Sequence, residues 1–370
     1  MDFDFTEEQQ EVAGLARRIL EDKVTEEVLR AAEAGEARFD RATWDALAAA
    51  GLLGIGLPVD AGGGGYGIVE QCLVLEQVGR TVAPVPVAAS TVFGAGPIAR
   101  FGTDEQRQRW VKPAADGSVI LTAALAEPGN RDPEQPTTTA AADGSSWRLD
   151  GVKTCVPSGP LADAFVVPAT GSDGTTATFV VERDAPGLSI ESQRVTTRDV
   201  EARLTLDGVT VGGDARIGGP EVLSWLLPHA TVALCAQQLG VLSKALEATA
   251  EYTKQRVQFD RPIATFQAVG QRMADSYIDV EGVRLTLWQA LWRLEEGLPA
   301  ETEVEVAKFW AAEAAHRVAH AAVHLHGGTG IDSDYPLHRY FLAAKGIEFA
   351  LGSATDQLLR IGKTFAAARE

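Results

Sequence analysis

The chain has 370 residues, of which 45% are hydrophobic and 23% charged, so it is long enough for two or three packed domains. Its net charge of −18 argues against a nucleic-acid partner, because nucleic-acid-binding proteins carry a basic stripe. No uncharged apolar run reaches the ~18 residues that a membrane span needs. The longest run, around Leu226–Leu234, is interrupted by Pro228 and His229. We therefore expect binding to neither nucleic acid nor membrane.

The cysteine pattern and the start of the chain indicate a reducing compartment. Cys72, Cys155 and Cys235 are widely spaced and form no CxxC or Cys/His cluster, so the sequence predicts neither a disulfide framework nor a metal site. The acidic stretch Met1–Asp4 is not typical of a signal peptide. We expect a cytoplasmic protein.

Residues 1–118 are predicted to form a helical N-terminal domain. The spacing Thr6-x-x-Gln9 predicts a capping box, with a helix to about Leu20. A second capping box at Thr103-x-x-Gln106 predicts a short helix. Two further helices are predicted between these boxes, over Arg41–Ala50 and Ile68–Val78.

The rest of the chain changes character twice. Residues 119–217 alternate short β-rich runs with turns, which predicts a small β-sandwich or barrel. Its strands are expected over Trp147–Asp150, Ala164–Pro168, Thr178–Val181 and Leu204–Leu206. Residues 218–370 show helical apolar spacing that predicts a four-helix bundle. Its helices are expected over Val241–Gln255, Gln267–Leu294, Thr302–His324 and Ala354–Ala367. The predicted class is therefore α+β.

Two stretches near the C-terminus carry a distinctive pattern. The first is Gln255–Ile263, followed by Phe266–Gln267, and the second is Leu325–Gly330, followed by Tyr335–Lys345. In this order and at these distances they resemble the acyl-CoA dehydrogenase family, as does the three-part organisation of essentially the whole chain. The resemblance implies an FAD-dependent enzyme that carries out the α,β-dehydrogenation of an acyl-CoA.

The resemblance also implies a set of FAD contacts, which in the family reach the flavin of the neighbouring subunit: Arg256, Gln258, Phe259, Gln267, His324, Gly327 and Gly328. A guanidinium suits the FAD pyrophosphate because it can place two donors on phosphate oxygens. Glycines allow a close approach of the backbone. The alternative is that Arg256 is a surface ion-pair residue and that the two glycines only turn the chain.

Both positions that hold the catalytic base in this family lack an acid. The family glutamate near the C-terminus aligns with Leu351, which cannot accept a proton. Some members carry the base at the start of the first bundle helix, and that step falls on Pro228–Thr231, with Ala230 at the position of the base. The resemblance therefore predicts no catalytic residue in this chain.

The flavin-facing segments of the family are altered as well. The strand that normally reads Lys-x-Trp-Ile-Thr is here Lys153–Pro157, with Cys155 at the tryptophan and Pro157 at the hydroxyl donor. Proline has neither a hydroxyl group nor a backbone N–H. The loop Ala126–Asp132 lacks the family's opening hydroxyl and carries the bulky Arg131.

These losses affect the chain's own flavin site, whereas the cross-subunit contacts are kept. The pattern looks like that of the glutamate-lacking subunits of actinobacterial α2β2 acyl-CoA dehydrogenases that act on steroid side chains. It implies a homologous catalytic partner that holds the acyl-CoA, with an electron-transfer flavoprotein or similar acceptor. One alternative is a self-sufficient homo-oligomer whose base is Glu348, one helical turn before Leu351, or His229. Another is a flavin-free scaffold on the same fold.

Overall fold

The computed structural model describes residues 5–367, so the acidic stretch Met1–Asp4 lies outside the described part of the chain. Helices, a β-sheet and further helices follow one another along the chain, which confirms the predicted α+β architecture. The chain forms two compact units. The first joins the residues up to Glu26, Cys72–Ala83 and the residues from Thr231 onward, and the second joins Glu27–Gln71 and Pro84–Ala230. The three domains predicted from the sequence, residues 1–118, 119–217 and 218–370, are each one continuous stretch, whereas each unit joins separate stretches of the chain.

The N-terminal third is helical, and its capping boxes form as predicted. Thr6 Oγ1 accepts the N–H of Gln9 at 3.2 Å while Gln9 Oε1 accepts the N–H of Thr6 at 3.1 Å. Thr103 and Gln106 repeat this exchange. The helical segments are α1 (Glu7–Lys23), α2 (Glu26–Ala34), α3 (Arg41–Ala49), α4 (Ile68–Thr81), a π-helix (Ala88–Ala95), α5 (Gly96–Phe101), α6 (Asp104–Gln106), a π-helical turn (Arg107–Val111) and α7 (Lys112–Ala115).

The middle region is an eight-stranded sheet, which confirms the predicted β domain. Its strands are β1 (Leu121–Ala123), β2 (Thr139–Asp143), β3 (Ser146–Pro157), β4 (Ala164–Gly171), β5 (Thr176–Glu182), β6 (Leu188–Arg194), β7 (Val200–Gly212) and β8 (Arg216–Gly218). The order is β6-β7-β3-β2-β4-β5-β8, and β1 pairs in parallel with β4. Trp147 of β3 packs on Phe179 of β5 at 5.4 Å between ring centroids although two strands separate them, so the sheet curves around one apolar core.

The C-terminal part contains α8 (Pro220–Gln255), β9 (Val257–Gln258), β10 (Arg261–Pro262), α9 (Gln267–Glu295), α10 (Glu301–His326), α11 (Leu337–Phe349) and α12 (Ala354–Ala367). The prediction missed α11, which makes a fifth helix in this region. It also placed the start of α8 too late, because the helix runs through Pro228. A proline inside a helix costs about 3 kcal/mol. Burial of a large apolar side chain stabilises the fold by about 1.5–3 kcal/mol. The neighbours Val222, Leu226 and Val232 are fully buried, so their burial offsets the cost of the proline.

Helix α8 is also a core helix. One 18-residue window in it is long and apolar enough to cross a membrane by length and composition, but 78% of that window is buried inside the protein. Helix α4 crosses it at two glycines. A Cβ on Gly79 would lie 1.9 Å from the carbonyl oxygen of Gln237, and a Cβ on Gly240 would lie 1.9 Å from that of Glu76. Only glycine permits backbones to approach this closely.

Candidate cofactor-contact site

A short hairpin at the end of α8 presents the first predicted contact residues. Val257 and Gln258 pair with Arg261 and Pro262, so that Phe259 and the next residue form a two-residue turn. Both turn residues have positive φ, 53° at Phe259 and 64° at Asp260, as a type I′ turn requires. This conformation is unfavourable for a bulky side chain, and strain of this kind clusters at functional sites. Phe259 is also 88% exposed, so packing within the chain does not explain it.

The hairpin is braced against the start of α9. The ring of Phe259 meets the ring of Phe266 edge-on at 6.2 Å between centroids, and the guanidinium of Arg261 lies 4.2 Å from the centroid of Phe266. Gln267, the first residue of α9, is exposed beside this pair in sequence. An exposed aromatic tip is therefore held in place without being covered.

Arg256 is the cation of this segment. Its backbone N–H donates to the carbonyl oxygen of Tyr252 at 2.8 Å, and its carbonyl oxygen accepts from Ile263 at 2.8 Å. Within residues 5–367 its exposed guanidinium has no hydrogen-bond or ion-pair partner, so the structure does not support the surface ion-pair alternative. Gln258 is exposed too, and its side-chain amide donates to the carbonyl oxygen of Val257.

The end of α10 supplies the two glycines. His326 is buried and stacks on Tyr252 with ring centroids 4.1 Å apart, and burial lowers its pKa. Gly327 ends the helix with φ +60° and ψ −136°, which only glycine adopts readily. No atom lies within 4 Å of a Cβ built on Gly327 or Gly328, among the residues that the structure describes. The pair therefore presents bare, open backbone.

His324 lies one turn before this end of α10. Its Nδ1 is 2.9 Å from Nη1 of Arg272, which comes from the second turn of α9. This contact and the stacking of Tyr252 on His326 bring together the end of α8, the start of α9 and the end of α10. The seven predicted residues all lie on these ends, and we call them the cofactor-contact surface.

The chemistry of this surface fits a dinucleotide. It offers an exposed guanidinium for a diphosphate, amide and imidazole donors, an exposed aromatic ring and an open glycine pair. A metal does not fit in the same way. Residues 5–367 contain no group of three or more His, Cys, Asp or Glu side chains that could hold a metal ion.

The altered strand β3 has its donors occupied within the chain. Cys155 sits at a bulge with φ +48°, and its N–H donates to Oε1 of Gln193 at 2.8 Å. The amide of Gln193 donates in turn to Oγ1 of Thr154 at 3.1 Å. Pro157 has no N–H, and its carbonyl oxygen accepts from Thr122 Oγ1 at 2.7 Å. This strand has little hydrogen-bonding capacity left for a flavin.

The loop that follows β1 is anchored by a buried ion pair. Glu127 accepts from Lys153 Nζ at 2.7 Å, from Thr137 Oγ1 at 2.7 Å and from the N–H of Thr138 at 2.8 Å. Burial alone would raise the pKa of Glu127, but the ammonium of Lys153 and these hydrogen bonds outweigh it and hold the pKa well below its usual range. Glu127 is therefore a structural carboxylate and no base.

Leu351 lies beyond the end of α11, where Ala350 leaves the helix in an extended conformation. Its φ is +56°, and Gly352 follows at +104°. The prediction that Glu348 shares a helix face with Leu351 is therefore wrong, because only Glu348 is helical. Glu348 also forms an ion pair with Lys345 at 2.5 Å. It is not a free base.

The second base position lies within α8. Ala230 is fully buried. The neighbouring His229 stacks on Trp225 at 4.0 Å and donates Nδ1–H to the carbonyl oxygen of Trp225 at 2.7 Å. Burial lowers the pKa of His229 to about 4. The ring stays neutral at physiological pH and is a weaker base than an ordinary histidine.

Sequence reasoning missed the residues that support these positions. Arg272 is 52 residues from His324, and Gln193 is 38 residues from Cys155. Neither pair has a sequence signal, because contacts between separate helices or strands follow from packing. Tyr252 could have been found from the sequence, because it lies one helical turn before Arg256.

Family models cover most of the chain. The acyl-CoA dehydrogenase N-terminal domain matches residues 6–118, the middle domain residues 122–209 and the C-terminal domain residues 218–365. Among curated proteins, acyl-CoA dehydrogenase FadE27 of Mycobacterium tuberculosis is 47% identical over 99% of both chains. Acyl-CoA dehydrogenase FadE28 of the same organism is 32% identical over 98% of both.

Solved structures are similar over the whole length. A chain of the ChsE4-ChsE5 complex from Mycobacterium tuberculosis has a TM-score of 0.95 and 48% identity, with 99% of both chains covered. A chain in a structure of a variant of the steroid ACAD Tcur3481-Tcur3483 has a TM-score of 0.93 and 48% identity, with 98% of this chain and 99% of that chain covered.

Proposed function

Since the chain belongs to the acyl-CoA dehydrogenase family, whose members bind FAD and oxidise CH–CH bonds, we propose that it is the non-catalytic subunit of an α2β2 enzyme. In this proposal a homologous partner supplies the catalytic base and binds the acyl-CoA. This chain supplies the cofactor-contact surface to the FAD seated in the partner, and its own flavin site is not used.

One contrast carries the proposal. On the cofactor-contact surface the guanidinium of Arg256 is unpaired among residues 5–367 and Phe259 is 88% exposed. On strand β3 the corresponding donors are engaged within the chain, as the bond from Cys155 to Gln193 shows. Groups that could bind a ligand are therefore available on the cofactor-contact surface, whereas on strand β3 they are hydrogen-bonded within the chain.

The residues of this chain bind and orient the cofactor. When bound, FAD would supply the acceptor for the β-hydride of the acyl-CoA, and a carboxylate of the partner would supply the base for the α-proton. Arg256 would hold the diphosphate with charge-assisted hydrogen bonds and so fix its position and orientation. Phe259 would pack on the dinucleotide, Gln258, Gln267 and His324 would donate to its polar atoms, and the open backbone at Gly327 would permit its close approach.

The similar structures support a proposal for the partner and the substrate class. The ChsE4-ChsE5 structure is a complex of two different chains, and the Tcur3481-Tcur3483 protein is named a steroid ACAD. We therefore propose a CoA thioester of a steroid side chain as the substrate in the partner's site. An electron-transfer flavoprotein or similar acceptor reoxidises the flavin, and the complex works in the cytoplasm.

Neither of the two candidate bases of the homo-oligomeric alternative is well suited to take a proton. Glu348 is ion-paired with Lys345, and burial holds the pKa of His229 near 4. Removal of a positioned base typically costs a factor of about 10²–10⁴ in rate. The structure favours neither this alternative nor a flavin-free scaffold.

The flavin content of the purified protein tests the proposal. We expect the chain expressed alone to retain little FAD and to show no flavin bleaching with acyl-CoA. Co-expression with a homologous catalytic subunit should give a complex with one FAD for each pair of chains, bleached by acyl-CoA. A chain that is fully loaded and bleached on its own supports the homo-oligomer, and a complex without flavin supports the scaffold.

A further inference from the structure

Four of the six histidines follow one local rule. Each places Nδ1 at 2.6–2.8 Å from a carbonyl oxygen three or four residues earlier: His229, His320, His326 and His338. A carbonyl oxygen only accepts, so Nδ1 carries the proton in each of these rings. In a neutral imidazole the other nitrogen, Nε2, is then an acceptor. This is the default that a helical histidine adopts in this chain.

Two histidines depart from this rule. Nδ1 of His316 lies 3.3 Å from Nζ of Lys345. His324 makes a shorter contact with a cation. Its Nδ1 faces Nη1 of Arg272 at 2.9 Å, and a guanidinium has only donors. Nδ1 must therefore accept, so the proton of the neutral ring is on Nε2. The charged imidazolium would set donor against donor at this contact. Arg272 thus reverses the default and turns Nε2 into a hydrogen-bond donor.

A second link between the same two helices shows that Arg272 is unusual. Arg317 of α10 reaches α9 as well, but it forms a bidentate ion pair with Asp279 at 2.6 and 2.8 Å. Arg272 has no carboxylate partner within residues 5–367, in a chain with 51 acidic residues. A guanidinium that only linked the helices would gain more from a carboxylate. Its hydrogen bond to a neutral imidazole fits a role in fixing the tautomer of that ring.

We propose that Arg272 is a positioning residue that holds His324 as the Nε2–H tautomer, so that this N–H donates to an acceptor atom of FAD. The inference rests on the proposed function, because the FAD is the one shared with the partner. It assigns the role to a residue of α9 that lies outside the seven contact residues. Arg272 acts through His324 and does not itself touch the cofactor.

A double-mutant cycle on the co-expressed complex tests this role, with the FAD dissociation constant as the readout. Arg272→Met should weaken FAD binding about 3- to 10-fold, the range of one ordinary hydrogen bond. His324→Gln should restore it in the double variant, because a carboxamide N–H₂ donates without help from Arg272. Arg272→Lys, which keeps a donor to Nδ1, should bind FAD like the wild type.

Three outcomes overturn the inference. An equal loss from Arg272→Met in both backgrounds means that the guanidinium contacts FAD directly. No loss in the wild-type background means that the tautomer is irrelevant. A loss that accompanies a lower melting temperature and that His324→Gln does not restore means a structural role.

A second readout does not depend on FAD. In the full chain labelled with ¹⁵N-histidine, His324 should show the Nε2–H tautomer, and Arg272→Met should shift it to Nδ1–H. An unchanged tautomer in Arg272→Met overturns the inference. If the tautomer shifts while neither Arg272→Met nor Arg256→Ala alters FAD binding, the proposed function has failed and the assignment of the tautomer stands.

Discussion

Arg256 is the residue on which the proposed division of labour depends most directly. Its guanidinium, which has no partner in the described part of the chain, is expected to bind the diphosphate. A hydrogen bond to a charged group contributes about 1.5–3 kcal/mol. Arg256→Ala should therefore weaken FAD binding by the complex about 10- to 150-fold. Cys155→Ala is the control and should change FAD binding little, since its N–H is engaged with Gln193. The opposite ranking, measured at matched oligomeric state, would show that the chain uses its own flavin site.

His229 gives the protein a predictable acid sensitivity. Burial lowers its pKa from 6.5 to about 4, so the unfolded chain binds more protons than the folded chain between these two values. The free energy of unfolding should therefore fall by about 3 kcal/mol through this group as the pH drops from 6.5 to 4. His229→Asn keeps a donor to the Trp225 carbonyl but does not titrate. Urea unfolding should show that the wild type loses about 3 kcal/mol more than the variant between pH 6.5 and 4, and parallel pH curves would contradict this assignment.

At the scale of elements, the crossing of α4 and α8 leaves no room for a side chain at its two glycines. Gly240→Ala would place a Cβ 1.9 Å from the carbonyl oxygen of Glu76, so the two helices must separate. We expect a loss of about 1–3 kcal/mol in the free energy of unfolding. Gly270→Ala in α9 is the matched control. Its Cβ meets nothing within 4 Å among the described residues, and a glycine-to-alanine change inside a helix should stabilise by about 0.5–1 kcal/mol. Equal urea midpoints for the two variants would contradict the crossing.

The elements that the sequence predicted well are those that local chemistry determines. Capping boxes marked the starts of α1 and α6, and short β-rich runs between turn residues marked β4 and β5. The elements that the sequence did not predict depend on burial in the tertiary structure. This burial carries α8 through Pro228 and it covers the π-helix Ala88–Ala95 so completely that no amphipathic pattern remains.

The candidate site divides in the same way. Arg256, Phe259 and the glycine pair lie in contiguous motifs, so a resemblance of sequence could place them. The exposure of Phe259, the freedom of Arg256 and the link from Arg272 to His324 depend on how three helix ends meet. No local pattern encodes that arrangement.

At the scale of the molecule, the proposed loss of this chain's own flavin site rests on several departures from the family pattern and not on the base position alone. Besides Leu351, the residues Cys155, Pro157 and Ala230 depart from that pattern. Leu351→Glu should therefore leave the chain, expressed alone, inactive with acyl-CoA. It should also lower the melting temperature, because a half-buried carboxylate replaces an apolar side chain. An active homo-oligomer from this single change would mean that the flavin site is largely intact.

The exposed tip of the β9–β10 hairpin has a consequence for assembly. If Phe259 and Arg256 complete a site that begins in another polypeptide, FAD behaves as a ligand of the subunit interface. Linkage then requires that excess FAD tighten subunit association by the same factor by which association tightens FAD binding. Dilution of the complex should release flavin and subunits together, and riboflavin supply should set how much enzyme is assembled in the cell.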